Sequence, residues 1–340
     1  MDPKSNSRVR ISVFGKTDVG RNREHNEDSF LVADLTAQKA SLQPDVREHE
    51  IGHKGTLLVI ADGMGGAAAG EVASEMATDT VFQHMIAKWI PDPENTAQQF
   101  AYRLRESVEE ANAKIHEYAK QHPEVRGMGT TITAVGAFGD HVYLSQVGDS
   151  RAYLIREKAA VQLTKDQSLM QRLVDAGELT EEEAEHSERK NIILQALGPE
   201  ARVRVDLTYQ PIRKGDALVI CSDGLSGLVN KDEIAEKVSQ DKDLVTIASE
   251  LIELANERGG PDNITVIVAR FSGDGLGDPN DEEAVGHEIY PLLDTESTTE
   301  PVPVYTGSDP PTPKSTSMIA AGAVAAAMVT VSLILIVFTF

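Results

Sequence analysis

The chain has 340 residues, 41% hydrophobic and 5% aromatic, and a formal charge of −22 from 54 acidic against 32 basic side chains. That length holds one large domain or two ordinary ones. The acidity argues against a nucleic-acid binder, which needs a basic face to release counterions. The single cysteine, Cys221, excludes an internal disulfide and a Cys-based zinc site.

In chain order, the polar "MDPKSNSRVR" lacks an apolar core segment and predicts a tail over residues 1–9 with no secretory signal. From Arg10 to Phe271, apolar strand-like runs alternate with amphipathic helices. Thr36–Gly55 is polar, with Pro44 and charges, and predicts a long surface loop. "LLVIAD" (57–62) predicts a strand, followed by helices at Gly70–Trp89 and Ala97–Gln121. The second helix carries Phe100, Leu104, Val108, Ala111 and Ile115 on one stripe, the pattern of a core-facing helix. "TITAVGAF", "HVYLSQVGDSRAYLI", "DALVICSDG" and "NITVIVARF" predict further strands, and Leu244–Arg258 contains a helix. Asp166–Gly198 is a longer excursion in which Thr180–Lys190 predicts a short charged helix, Thr180 and Glu183 having capping-box spacing. No internal repeat is visible.

The composition changes after Phe271. Ser272–Ser317 holds ten acidic residues and one lysine among Pro, Thr, Ser and Gly. Such a segment buries too little apolar area to offset its ordering entropy, which predicts a disordered linker over 272–317. The last 23 residues, Met318–Phe340, carry no charge. As a helix they span ~34 Å, enough for a ~30 Å hydrocarbon core. They predict a single-pass C-terminal membrane anchor, with the large domain in the cytoplasm because no signal peptide precedes it.

Chemistry concentrates on aspartates at strand ends beside glycine: "HNEDSF" (Asp28), "VIADGMGG" (Asp62), "QVGDSRAYLI" (Asp149), "VICSDGLSG" (Asp223) and "RGGPDNITVIV" (Asp262). Aspartate in a turn is common, so each stretch alone says little. Five together predict a carboxylate cluster whose repulsion cations would neutralise. Oxygen ligands without cysteine select hard metals, Mn2+ or Mg2+, over zinc. Two such ions sharing an aspartate can acidify a water and clamp the oxygens of an in-line displacement at phosphorus. Arg23, just before "EHNED", is placed to hold phosphate with its two-pronged fork. Cys221 is followed by "SDGLSG", with no arginine to receive phosphate, so it reads as a buried strand residue rather than a nucleophile. His25, His49, His53, His116, His122 and His186 show no paired metal spacing, and only His25, beside Asn26, lies near a candidate site segment.

"DVGRNREHNEDSF", "VIADGMGGAAAGEVAS", "GMGTTITAV", "VGDSRAYLI", "LGPE", "VICSDGLSG" and "GGPDNITVIV" occur in the order seen in the metal-dependent PP2C (PPM) protein serine/threonine phosphatases. The resemblance is to the bacterial branch and covers about Arg10–Phe271. It implies an α+β fold, a four-layer αββα sandwich of two mainly antiparallel sheets with metals in a cleft at one sheet edge. By resemblance, Asp62 bridges two Mn2+ or Mg2+ ions, Gly63 offers its carbonyl to one, and Asp223 and Asp262 complete the pair. Glu27 and Asp28 match an acidic pair that acts mostly through metal-bound water. Asp149 matches a ligand of a third ion shared with Asp223, and Asn263 is a candidate outer-shell residue. Arg23 matches the phosphate-binding arginine, and with Asp62 and Asp223 forms the expected catalytic set.

Two positions depart from the family pattern. Met64 stands where eukaryotic members often have a histidine proposed as general acid, so leaving-group protonation falls to water. Gln167 stands where bacterial relatives usually have histidine. Asp166–Gly198 corresponds to the family's flap beside the cleft, which affects substrate choice. The expected function is a membrane-anchored phosphatase acting on phosphorylated Ser/Thr proteins, opposing bacterial Ser/Thr kinases, monomeric and without nucleic acid. A partner-switching phosphatase acting on an anti-anti-sigma-type protein and an inactive phosphoprotein-binding module are the competing readings.

Overall fold

The computed structural model describes residues 8–292 except 42–44, 46, 66–68, 186, 188, 190, 281 and 282. The chain divides into two units, Met1–Leu293 and Asp294–Phe340. The second, including the expected span at Met318–Phe340, lies outside the described residues. Among the described residues no helix is long and apolar enough to cross a membrane.

Two antiparallel sheets form the centre. One runs β10 (Ala159–Gln162), β9 (Arg151–Arg156), β12 (Ala217–Cys221), β13 (Ile264–Ser272), β1 (Arg10–Asp18), β4 (Arg47–Glu50). The other runs β11 (Asp206–Pro211), β8 (His141–Val147), β7 (Ile132–Phe138), β5 (Thr56–Met64), β2 (Asp28–Asp34), β3 (Lys39–Ser41), with β6 (Gly129–Thr130) on the end of β5. The helices are α1 (Ala69–His84), α2 (Ala97–Gln121), α3 (Leu169–Asp175), α4 (Glu181–Glu185), α5 (Asp223–Ser226), α6 (Lys231–Val238) and α7 (Leu244–Glu257).

Because side chains alternate along a strand, each central strand serves two cores. Phe30, Leu58, Ile60 and Leu144 meet Val13, Leu154, Ile220 and Ile267 between the sheets. The alternate residues Val59 and Ala61 face Ala73 of α1 and Phe100 and Leu104 of α2. Val219, Val266 and Val268 face Ile234 of α6 and Ile247 and Leu251 of α7. Helices therefore cover the outer face of each sheet, giving the expected αββα layering.

The expected α2 has the bounds anticipated, and its whole stripe from Phe100 to Ile115 is buried. Thr180 and Glu183 form the expected capping box, each donating a backbone N–H to the other's side chain. Four expectations need correction. Thr36–Gly55 is not all loop: it carries β3 and β4, and β4 pairs with β1 at Ser12↔Glu48. "HVYLSQVGDSRAYLI" is two strands in different sheets, broken at Gly148–Ser150 where Gly148 takes φ +107°. The linker expected from Ser272 starts too early. Ser272 ends β13, Leu276 is buried, Glu283 pairs with Arg156 and Arg213, and Tyr290 donates to the Leu207 carbonyl beside Tyr143 and Tyr209. Acidic composition misled there because individual carboxylates find arginines on the domain. The N-terminal tail likewise ends before Arg8, whose carbonyl accepts from Gly275, and Val9 is buried.

Candidate metal centre

The inter-sheet core turns polar at one end of the sandwich. On β5, Leu58 and Ile60 point inward, so Asp62, two residues on, points the same way. On β2 the inward set is Val32, Phe30 and then Asp28. Register pairs Asp28 directly with Asp62 across the antiparallel ladder, placing two carboxylates side by side. Past the end of β12, Ser222 follows the same parity as Ile220, and Thr265 on β13 that of Ile267. Asp149 sits in the β8–β9 turn, Asp223 opens α5, and Asp262 and Asn263 lead into β13. The five aspartates thus come to one edge of the sandwich.

Their backbones are pinned. Thr131 N and Thr130 Oγ1 donate to the Asp62 carbonyl at 2.9 and 2.8 Å, and Asp62 N donates to Thr131 Oγ1 at 3.2 Å. Gly63 N donates to the Glu27 carbonyl at 3.1 Å, and a Cβ on Gly63 would overlap the carbonyls of Gly70 and Glu27. Glycine is therefore required at Gly63 by close backbone approach. Asn263 braces the preceding loop: its side chain accepts from Glu27 N at 2.8 Å and donates to the carbonyls of Val19 and His25 at 3.0 and 2.9 Å. Gln167 clamps the turn that carries Asp149, accepting from Gly148 N at 3.0 Å through its side chain and donating its backbone N–H to Gly148 O at 2.9 Å.

Electrostatically the cluster is out of balance. Burial, then repulsion from Asp28, Asp223, Asp149 and Asp262, pushes Asp62 well above the ordinary carboxylate range. Asp28 is raised to about 7 and Asp149 to about 8, in both cases by burial first. Asp223 is raised by burial and by Asp262, and shares a hydrogen bond with Asp62. Glu27 is raised by burial, against the opposing pull of Arg23. Two hydroxyls counter the effect at Asp28: Ser222 and Thr265 donate to its Oδ2 at 2.8 and 2.6 Å. Thr265 in turn shares a 2.6 Å hydrogen bond with Thr17, which accepts from Asn26. Sequence reasoning missed Thr17, Ser222 and Thr265. Their signal was strand parity, since each continues an inward-facing apolar series with a hydroxyl.

Glu27 Oε1, Asp28 Oδ1 and Asp149 Oδ1 are buried and accept no hydrogen bond. Unpaired buried carboxylate oxygens are costly, and a hard cation removes the cost. The residues present therefore fit Mn2+ or Mg2+. Among the described residues no three His, Cys, Asp or Glu side chains form a direct cage for one ion. A hydrated Mg2+, which keeps several waters, suits carboxylates that stand further apart. Arg23 lies at the rim, half exposed, with Nη2 2.8 Å from Asp262 Oδ2 and Nη1 3.6 Å from Glu27 Oε2. His25 is exposed, and its carbonyl rather than its ring is engaged by Asn263. Met64 ends β5 exposed, with no proton to give. Cys221 is buried in β12, its thiol pushed up to about 12 by burial.

A carboxylate-lined cleft between two antiparallel sheets, with an arginine at the rim and no competent thiolate, is a hard-cation centre suited to phosphoryl hydrolysis. Residues 37–265 match the family described as Protein phosphatase 2C. The serine/threonine phosphatase stp of Listeria monocytogenes is 38% identical over 256 residues, covering 74% of this chain and 93% of that protein. A serine/threonine phosphatase structure from S. agalactiae aligns with a TM-score of 0.66 at 36% identity, over 76% of this chain and 98% of that one. The catalytic domain of PstP, in complex with two manganese ions, aligns with a TM-score of 0.63 at 35% identity, over 78% and 99%. The chain belongs to the protein phosphatase 2C family and is a serine/threonine phosphatase of that type, a family that works with Mn2+ or Mg2+.

Proposed function

We propose that this protein removes phosphate from phosphoserine and phosphothreonine in proteins, opposing bacterial Ser/Thr kinases, from a membrane anchored by residues 318–340 with the catalytic domain in the cytoplasm. The observation that carries the catalytic part is the register pairing of Asp28 with Asp62, with buried carboxylate oxygens left unpaired around them. Asp62, Asp223 and Asp262, with Asp28, Asp149 and the Gly63 carbonyl, are the groups that would hold the ions. When bound there, the ions supply charge neutralisation and acidify water for direct attack on phosphorus. Arg23 binds and orients the phosphoryl oxygens with the donors that Asp262 and Glu27 leave free. Ser222 and Thr265 favour the ionised form of Asp28. Glu27 and Asn263 fix the loop that carries Arg23. Protonation of the departing alkoxide falls to water, because Met64 cannot donate. A covalent thiophosphate route has no support, since Cys221 is buried as a thiol. The retention of all five aspartates speaks against an inactive binding module.

The membrane reading rests on the uncharged 23-residue end. Release of phosphate from a phosphothreonine peptide in Mn2+, lost in EDTA and lost in Asp62→Asn with an unchanged circular dichroism spectrum, is the expected result. Activity retained in that variant would sink the two-ion reading. Sedimentation of the full chain, but not of a chain ending at residue 292, with membranes tests the anchor.

A further inference from the structure

A groove of about 720 Å³ opens directly off the metal centre. Its inner end is formed by Asp149 and Asp223, so a molecule whose phosphate sits at the ions can run its neighbouring residues along it. One wall comes from the segment after β10, with Met170, Val174 and Glu181; the other comes from the α5–α6 junction, with Leu228 and Asp232. We infer that this groove selects phosphoproteins with a lysine or arginine close in sequence to the phosphorylated residue. This inference rests on the phosphatase reading above.

The argument is a charge balance over the groove lining. Arg151 is spent on Asp166, with Nε and Nη2 reaching its two oxygens at 3.0 and 2.7 Å. Asp149 and Asp223 face the ion site, where Asp149 Oδ1 is buried without a partner. The carboxylates of Glu181 and Asp232 remain. Both residues are exposed, neither carboxylate makes a hydrogen bond or ion pair among the described residues, and both line the groove, Glu181 from the segment after β10 and Asp232 from α6. Asp232 lies in the first turn of α6. Against these two stands one lining ammonium among the described residues, Lys231. Among the described lining residues the unbalanced charge is negative.

The apolar lining completes the match. Met170 is buried, and Val174 and Leu228 are partly buried, beside the two carboxylates. A basic side chain carries both parts this surface calls for, an aliphatic stem and a cationic head. An acidic residue would meet Glu181 and Asp232 with like charge.

The test compares phosphothreonine peptides carrying Arg, Ala or Glu at the flanking positions, in Mn2+, with p-nitrophenyl phosphate as a substrate too small to enter the groove. The wild-type protein is expected to favour the Arg peptide over the Glu peptide by about tenfold in kcat/KM, mostly through KM, and the ratio should shrink at about 0.5 M salt. In Glu181→Gln/Asp232→Asn the ratio falls toward one, and in Glu181→Lys/Asp232→Lys it inverts, with p-nitrophenyl phosphate turnover unchanged in both. Equal rates on all peptides, a preference for Glu, or a preference that survives both double variants overturns the inference. Wild-type protein that hydrolyses p-nitrophenyl phosphate but shows no peptide preference refutes the groove alone. Wild-type protein that hydrolyses neither substrate refutes the phosphatase reading and the groove with it.

Discussion

Replacing Asp28 by asparagine should stabilise the ion-free protein while weakening its hold on metal. In the folded, ion-free domain Asp28 keeps its proton to about pH 7 and Asp149 to about pH 8, against an ordinary value of 3.8. Between those limits the folded state binds more protons than the unfolded one. Stability from these groups is therefore fully present below about pH 4 and is lost as pH rises through about 7 to 8. For Asp28 alone, a rise from 3.8 to about 7 amounts to ~4 kcal/mol once it is ionised. The substituted side chain would retain the volume and an acceptor for Ser222 and Thr265, but its amide N–H group needs a partner, which offsets about half of the gain. The expected net gain is ~2 kcal/mol above about pH 8, or ~4 °C in Tm for a domain of this size, and it turns into a net loss of ~2 kcal/mol below about pH 4, where only the amide cost remains.

The assay is thermal unfolding of both proteins in EDTA between about pH 4 and 8.5, then in Mn2+. Taking the difference between the two proteins cancels the general repulsion of an acidic chain. Mn2+ should raise the wild-type Tm by more at high pH, because ligation needs the ionised carboxylate, and should raise the Asp28→Asn protein by less. A variant no more stable than wild type at about pH 8 in EDTA would refute the account of Asp28 as a destabilised carboxylate.

Gly63→Ala places a Cβ against the Gly70 carbonyl and 2.6 Å from the Glu27 carbonyl, both backbone atoms; a loss of ~3 kcal/mol in denaturant unfolding is expected. Lys54 is buried, donating to the carbonyls of Trp89 and Asp92 at 3.1 and 3.0 Å with its ammonium over the Trp89 ring. Lys54→Met should keep the stem, strand both carbonyls, and lower stability by roughly 2–3 kcal/mol without changing peptide turnover. Arg23→Ala should reduce kcat/KM for phosphopeptides by on the order of tenfold or more, with metal-dependent turnover still measurable. A chain ending at residue 271 should melt well below one ending at residue 292. It loses Leu276 from the core and leaves the Arg156 and Arg213 guanidiniums without Glu283.

Much of the centre was legible as residue chemistry. Asp28, Asp62, Asp149, Asp223 and Asp262 were each readable from a short local stretch, and the structure brings those stretches to one edge. What could not be read was which face each end points to, because strands 28–34 and 56–64 are adjacent only through pairing, and Asp28 meets Asp62 only through register. Ser222 and Thr265 were invisible for the same reason. A serine after "VIC" and a threonine in "NITV" become donors to Asp28 only when β2 packs across from β12 and β13. The segment after Phe271 was misread because composition averages over residues, whereas Glu283 and Tyr290 each have a specific partner.

By itself, the order of residues supplied the chemical parts of this protein: oxygen ligands suited to hard cations, an arginine beside the first acidic stretch, a single cysteine unsuited to catalysis, and an uncharged 23-residue end. These follow from side-chain type and hydrophobic period, which are local properties. The tertiary structure decided what depends on long-range pairing. It set which carboxylate oxygens are left without a partner, which hydroxyls favour the charged form of Asp28, and how α4 and α6 bring Glu181 and Asp232 to the same groove beside Asp149 and Asp223. Those outcomes depend on distances between residues far apart in sequence, and only the packed sandwich sets such distances.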